Sequence, residues 1–541
     1  MGQMNPVAPL IAGAGPSGMA TAIAILRLGG QARLIEKSSG RASTSRALAI
    51  HARTLELLEP MGLTELLLER GNRIHGTSIY DGQKRLISTS FKGLPSRFPF
   101  ALILPQTETE EILESKLREL GGGIERQVEL IAVRPEPAGV TVDLRHAGER
   151  LETATVPWLV GADGAHSTAR HQLNLPFRGS AYAQFFALAD VTVENSPATD
   201  EISVFFHNDG PVVLFPFGGN RYRVVAELHG DKASEGVSLE ELEEAVNARC
   251  GRPMPLSEAT WLSGFRTHHR IVSRYQVGRV CLLGDAAHIH SPAGGQGMNT
   301  GIQDGLNLGW KLALHQLGKA PEQLITTFPR ERRPVARGVL RTTDRMMKAG
   351  QLRARWLQAL RNRLMAKLSG KPKFCNRLAH GFSQIAVHYP HSRLSVNASP
   401  LASPGGGARP GDRTPEAVFE TRDGRKIGTG DLLKKPGFHL FIFQHELVAA
   451  GNTSLVKAQA LAENFRTLTG NLGEVHFFTS ESHFAALFAR EKSTHLDRKS
   501  AATKAFGLPL GGALVIRPDG YIGYRSRDFR PGPLQRYLRM R

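Results

Sequence analysis

The sequence predicts an α/β protein: a Rossmann-like nucleotide-binding domain, interrupted by an antiparallel-sheet domain and followed by a separate α/β module. Three observations carry this. The chain opens with an apolar strand, the turn Gly13-Ala14-Gly15-Pro16-Ser17-Gly18 and a helical run, in β-turn-α-β order. A second buried strand with its own glycine-rich loop, Val280-Cys281-Leu282-Leu283-Gly284, arrives only after a series of strand-like runs between Tyr182 and Phe265. A Pro/Gly/Ser-rich stretch from Ala398 to Pro415 then sets off the remaining residues. A length of 541 residues suits about three domains.

Taken in order, Leu10-Ile11-Ala12 is the first strand and Gly18 to about Gly29 the first helix. Ala32 to Ile35 is the second strand, ending at Glu36. Arg53 to Arg70 has helical period, and Thr77 to Pro105 alternates like strands. Thr107 to Leu120 reads as a helix with Thr107 as N-cap. Ile202 to Phe206 and Tyr222 to Val225 read as strands of the inserted sheet, and Thr300 to Leu317 as a helix. In the last module Phe438–Phe443, Glu474–Thr479 and Ala513–Ile516 read as strands, the last followed by a turn at Pro518-Asp519-Gly520. The expected domains are 1–180 with 266–395 for the nucleotide, 181–265 for the inserted sheet (joined by strands from about 76–105), a linker at 396–415, and a module at 416–541.

Composition excludes several classes. Hydrophobic residues at 41% and charged residues at 22% make a globular balance, not a disordered one. Cys250, Cys281 and Cys375 stand far apart, so neither a disulfide framework nor a metal-ligand spacing is visible, and a reducing, cytoplasmic setting is expected. No apolar run is long enough to span a membrane, and MGQMNPVAPL lacks a charged leader segment. The formal charge is +19. Between Arg330 and Arg377, 15 Lys and Arg face two acids, with Leu352, Trp356, Leu360 and Leu364 at helical spacing. This reads as amphipathic helices with a basic outer face: a solvated surface, or one that meets a membrane or nucleic acid. No nucleic-acid motif accompanies it.

Three motifs carry chemistry. In Gly13-Ala14-Gly15-Pro16-Ser17-Gly18 the first glycine makes the turn, the second admits a pyrophosphate to the backbone, and the third permits helix–strand contact. The helix N-terminus adds free N–H groups. Glu36 lies 18 residues after Gly18, placed to accept ribose hydroxyls, so a dinucleotide is expected. The second motif is Gly161-Ala162-Asp163-Gly164, which alone would also suit an ordinary loop. The third runs from Gly284-Asp285-Ala286-Ala287-His288 through Ser291-Pro292-Ala293-Gly294-Gly295-Gln296-Gly297-Met298-Asn299. Asp285 can hold a polyol hydroxyl, and the glycines can aim N–H groups at an electron-rich ring edge; His288 alone reads more readily as structural.

Together, in this order, the motifs resemble those of the single-component FAD-dependent aromatic hydroxylases, over roughly residues 8 to 395. Ser45-Arg46-Ala47, Arg53 to Leu58, Pro105-Gln106 and Glu331-Arg332-Arg333-Pro334-Val335 fit the same family. The resemblance implies FAD as cofactor, NADPH or NADH and O2 as co-substrates, and a phenolic or polycyclic aromatic substrate. Oxygen would be transferred from a flavin C4a-hydroperoxide. Gly13, Gly15, Ser17 and Gly18 would hold the pyrophosphate, Glu36 and Lys37 the adenosine side, and Arg46 and Gln106 further parts of FAD. Asp163 would serve FAD and the nicotinamide nucleotide. Asp285 would hold the ribityl or pyrophosphate portion, and Gly295, Gly297, Met298 and Asn299 would face the pyrimidine edge. No metal is expected, and no side chain need act as nucleophile because the flavin carries the chemistry; whether a base activates the phenol is left open.

His207, Phe215, Tyr222 and Pro292 are the substrate-side candidates, each of which also suits ordinary packing. The expected substrate-lining tyrosine is not evident, with Phe205 and Phe206 in its neighbourhood, which favours a larger polycyclic phenol over a small phenol-carboxylate. The C-terminal Gly511-Gly512 to Ile522 segment resembles the thioredoxin-like domain of phenol and polyketide hydroxylases. It lacks cysteine, so thiol exchange is excluded and a structural or homodimer-forming role is expected. A flavin oxidase or dehydrogenase remains the alternative, and a non-enzymatic nucleic-acid-binding protein the remote one.

Overall fold

Strand Leu10–Ala12 occupies an inner position of a six-stranded sheet. The order is Gln276–Val277, Val280–Leu282, Leu159–Gly161, Leu10–Ala12, Arg33–Glu36, Ile124–Arg126, parallel except at the Gln276–Val277 edge. The structure is a computed structural model that describes residues 8–41, 47–228, 236–291, 294–352, 354–399, 407–444, 452–479, 491, 493–509 and 511–539. Helices Pro16–Arg27 and Gly297–Gln316 pack on each other over this sheet. Glycine makes the contact possible. A β-carbon at Gly305 would lie 2.5 Å from the Ser17 carbonyl oxygen, and one at Gly309 would lie 2.6 Å from Ala24 Cβ.

Two helical expectations need correction. Arg53 to Arg70 is not one helix: Ala52–Leu58 and Leu63–Arg70 are separated at Pro60 and at Gly62, whose φ of 71° is left-handed. Thr107 is not an N-cap. The helix begins at Gln106 after Pro105, and the Gln106 N–H donates to the Ala47 carbonyl instead.

The second sheet has eight strands, in the order His288–Ile289, Leu256–Val272, Phe177–Val193, Arg221–Leu228, Val212–Gly218, Glu201–Phe206, Gly76–Asp81, Lys84–Ser90. It is antiparallel except where Glu201–Phe206 runs parallel to Gly76–Asp81. Helix Leu239–Cys250 covers one face over a core of Phe185, Ala187, Val212, Leu214, Tyr222 and Val224. The opposite face turns Phe215 and Phe217 toward Leu48, Ala49 and Ile74.

The basic segment forms helices Thr327–Gly350, Arg355–Ser369 and Pro372–Phe382. In the first, Arg337, Arg341, Arg345 and Lys348 are exposed, as the pattern implied. In the second the apolar ridge is turned outward: Trp356, Leu360 and Leu364 are 69%, 58% and 54% exposed. The inner side is polar-anchored instead. Arg361 stacks over Phe206 at 4.4 Å, and Asn362 donates to Asp81 at 2.7 Å.

The last module is an eight-stranded sheet whose centre reads Gly473–Thr479, Phe438–Gln444, Gly512–Ile516, Ile522–Ser526. The first pair is parallel and the other two are antiparallel. No helix among the described residues is long and apolar enough to cross a membrane.

Candidate active site

The first glycine turn shows why each glycine stands where it does. Gly13 has φ 103°, and a β-carbon there would lie 2.3 Å from the Ala162 carbonyl oxygen. At Gly18 it would lie 1.9 Å from the Gly13 carbonyl oxygen. At Gly15 it would meet nothing within 4 Å, so backbone is open to a ligand there alone. The first intrahelical acceptor bond is Met19 N–H to Gly15 carbonyl, which leaves the Ser17 and Gly18 amides directed out of the helix end. The Ser17 hydroxyl is wedged between motifs: its Oγ would lie 2.6 Å from a β-carbon at Gly284 and 2.2 Å from one at Gly301.

Around this turn, Glu36 accepts the Ala14 N–H at 2.9 Å and the Ser38 N–H at 3.0 Å. Lys37 is exposed beside it. Asp163 Oδ2 accepts the Ala169 N–H at 3.0 Å, while its Oδ1 is buried with no partner among the described residues. Gln106 Oε1 accepts the Ala47 N–H at 3.3 Å, and its Nε2 donates to Glu110 at 2.8 Å. Asp285 is exposed after Gly284. Arg46 and Pro292 lie outside the described residues. An open glycine and outward amides fit the pyrophosphate of a dinucleotide, and an unpartnered buried carboxylate oxygen fits a hydroxyl donor of its sugar or polyol chain.

The third motif ends in helix Gly297–Gln316. Its first satisfied amide is Thr300, to the Gln296 carbonyl at 2.9 Å, so those of Gly297, Met298 and Asn299 are directed off the helix end. The Asn299 side chain is spent internally: Oδ1 accepts the His51 N–H at 2.8 Å, and Nδ2 donates to the carbonyls of Ala49 (2.7 Å) and Gly295 (3.0 Å). Asn299 thus clamps the loop and offers its backbone, not its amide side chain, to a ligand. Beneath lies a buried charge triad. Arg332 Nε donates to Asp304 Oδ1 at 2.6 Å, and His288 Nε2 lies 2.9 Å from Asp304 Oδ2. Burial would raise the Asp304 carboxyl, but Arg332 and His288 hold it below the usual range. Arg332 also reaches the Thr300 carbonyl and the Tyr389 hydroxyl. His288 is therefore structural.

On the sheet side the candidates separate. Phe215, Phe217 and Phe382 pack against one buried cluster that includes Leu48, Ala49 and Ile74, and the Phe382 ring would lie 3.3 Å from a β-carbon at Gly294. A β-carbon at Gly295 would lie 2.8 Å from Ala49 Cβ. The apolar wall and the glycine loop therefore meet. Tyr222 does not join them. It is fully buried in the core under helix Leu239–Cys250, its hydroxyl 2.6 Å from Ser196 Oγ and 2.9 Å from the Ala198 carbonyl. Strand alternation sends its neighbour Arg223 to the Phe217 side, where Asp190 holds the guanidinium at 2.7 and 2.8 Å. His207 sits in the turn after Phe206, its Nδ1 accepting the Asp209 N–H at 3.2 Å.

Residues 6–343 match the family model described as "FAD binding domain". The chain belongs to the FAD-dependent aromatic monooxygenases. It is 35% identical over 537 residues to 6-methylpretetramide 4-monooxygenase of Streptomyces rimosus, covering 96% of this chain and 90% of that one. It is 30% identical to pentachlorophenol 4-monooxygenase of Sphingobium chlorophenolicum, covering 97% and 95%. Among solved structures, an anhydrotetracycline hydroxylase from Streptomyces rimosus superposes with a TM-score of 0.75 at 29% identity, over 98% of each chain.

As a flavoprotein monooxygenase, the chain uses FAD, NAD(P)H and O2. Sequence reasoning missed the two histidines that flank its glycine loop. His51 Nε2 lies 2.9 Å from the Gly294 carbonyl, and His290 Nε2 is buried without a partner among the described residues, 3.5 Å from the β-carbon position of Gly297. Burial pushes both imidazoles down to about 4. Their burial, and the internal use of Asn299, are tertiary properties that no motif announces. The Gly18→Ala variant should retain FAD about 10- to 100-fold less tightly, since the new methyl collides with fixed backbone. Flavin absorbance of the purified variant and a dissociation titration check this; full yellow occupancy at wild-type affinity would sink it.

Proposed function

We propose that this monooxygenase hydroxylates a polycyclic phenolic substrate lodged between the Phe215–Phe217–Phe382 wall and the Gly294–Gly295 loop. The supporting observation is that junction. It is apolar on the sheet side, and the buried cation beside Phe217, Arg223, is already paired with Asp190, so Arg223 is no ready anchor for a small phenol-carboxylate. The names of the tetracycline-pathway relatives agree with a polycycle, whereas pentachlorophenol 4-monooxygenase keeps a single ring in play. The test compares polycyclic and single-ring phenols for stimulated NADPH and NADH consumption, with product mass under labelled O2. Coupled turnover confined to single rings would overturn the polycyclic reading; turnover without label would point to an oxidase.

Bound FAD supplies the redox and oxygen chemistry. This chain's residues bind, orient and keep water out. Gly15 and the Ser17 and Gly18 amides would hold the pyrophosphate, with Glu36 and Lys37 on the adenosine side. Gln106, Arg46 and Asp163 would flank the dinucleotide. The Gly297, Met298 and Asn299 amides, with Gly295, would face the pyrimidine edge, held in place by the Asp304–Arg332 pair. Asp285 would accept a ribityl hydroxyl, so Asp285→Ala should loosen FAD about tenfold; unchanged affinity would contradict the assignment.

The same reading divides the chain into flavin, substrate-sheet and C-terminal modules. The strand order of the last, with helix Asn452–Thr469 joining its parallel pair, supports a thioredoxin-like fold without cysteines. A structural role, a homodimer, a cytoplasmic setting and no part for nucleic acid go with it.

A further inference from the structure

Three histidines inside the C-terminal module have no part in flavin chemistry. His439 and His476 lie on adjacent parallel strands in the register His439↔Glu474 and Phe441↔His476. His439 Nδ1 and His476 Nε2 are 3.3 Å apart. Glu474 Oε2 is 3.7 Å from the first and 3.8 Å from the second. Two donors on a tetrahedral ion with bonds of about 2.0–2.1 Å stand about 3.3 Å apart. The triangle is thus three corners of a tetrahedron, slightly open at the carboxylate.

The outer ring nitrogens are anchored as in metal centres. His439 Nε2 donates to the Lys435 carbonyl at 3.0 Å, which makes its Nδ1 a lone pair directed at the other two groups. His476 Nδ1 lies 3.3 Å from His495 Nε2. Both imidazoles are deeply buried, so the triangle is screened from water on its histidine side. We propose that His439, Glu474 and His476 bind one first-row transition dication, for which zinc is the natural probe. Two imidazole nitrogens among the three donors favour nitrogen-seeking metals over magnesium or calcium. His439 also lines the cavity between the module and the flavin domain, with Arg27, Arg53, Trp310 and Arg517, so the ion would fasten two strands at that seam. This proposal departs from the expectation of no metal. The two histidines are 37 residues apart, and only strand register unites them.

The rival arrangement is an ion-free relay in which His495 donates to His476, His476 to His439, and His439 to the Lys435 carbonyl. The full-length holoenzyme, stripped with a chelator, is titrated with zinc against a chromogenic competitor. One tight equivalent is expected. It should be weakened at least about tenfold in Glu474→Gln and in His439→Gln, and about 10- to 100-fold in His495→Phe, with FAD absorbance and circular dichroism unchanged. Absence of a tight equivalent in the wild type establishes the relay and overturns the proposal. So does its full retention in Glu474→Gln, whose half-exposed carboxylate can be changed without disturbing the core should the histidine variants fail to fold.

Discussion

Replacing Glu331 by alanine should cost about 3–5 kcal/mol of stability, the range for breaking a buried ion pair by removing one partner. Glu331 is the hub of a fully buried cluster that joins the flavin domain to the C-terminal module. Arg517 reaches it with two bonds, at 2.7 and 2.9 Å, Lys311 Nζ at 2.7 Å, Asn307 Nδ2 at 2.8 Å and Ser392 Oγ at 2.6 Å. Asp519 takes the rest of Arg517 at 2.5 and 2.9 Å, and a further bond from Asn307 at 3.0 Å. Burial alone would raise the Glu331 carboxyl, yet Arg517 and Lys311 hold it well below the usual carboxylate range. Burial pulls Lys311 down to about 8 against the attraction of Glu331. Without Glu331, Lys311 loses its principal counter-charge and Arg517 one of its two, and Asp519 cannot serve both. Denaturant unfolding of Glu331→Ala beside Glu331→Gln measures the loss. A change below about 1 kcal/mol would mean that water enters the seam and the pair acts as a surface one. Since Asn307 and Lys311 share the Gly297–Gln316 helix with the flavin loop, FAD retention should fall as well.

That cluster also shows where sequence reading stops. The local pieces were legible because they are local. The Gly13–Gly18 turn needs particular glycines at fixed spacing, Glu36 ends the next strand, and the C-terminal strands fall within a residue or so of their apolar runs. What escaped depends on faces and on long-range partners. Phe215 and Tyr222 are both strand residues, but strand alternation and helix Leu239–Cys250 send them to opposite sides. Trp356, Leu360 and Leu364 share a helical stripe, but nothing in the stripe says which side meets the sheet. Glu331 was legible only as part of a family-like string, because its partner Arg517 lies 186 residues away.

Acidification from pH 7 to pH 5 should release FAD and then unfold the chain, driven by buried neutral histidines. Burial holds His51, His290, His439 and His495 at about 4, against an ordinary 6.5. Between those values the unfolded chain binds protons that the native one refuses, so stability rises with pH across the window and falls as pH drops through it. Each such group costs about 2 kcal/mol at pH 5 relative to pH 7. Two of them together approach a large part of an ordinary domain's stability. Glu59 and Glu416, raised by burial to about 6 and about 7, take up protons in the native state over the same window and recover part of this loss; the depressed carboxylates do not. Asp304 and Glu331 contribute stability that is complete above the unfolded carboxylate range and is lost only as pH falls below it, so they titrate after the histidines. His51 and His290 flank the Gly294–Gly297 loop, so their protonation strikes the proposed flavin site directly. Flavin release should therefore precede the far-ultraviolet transition, and His290→Gln should shift the release midpoint to lower pH. A urea midpoint and FAD affinity that stay flat between pH 7 and pH 5 would show that these imidazoles reach water in the native protein and that their burial does not set its acid limit.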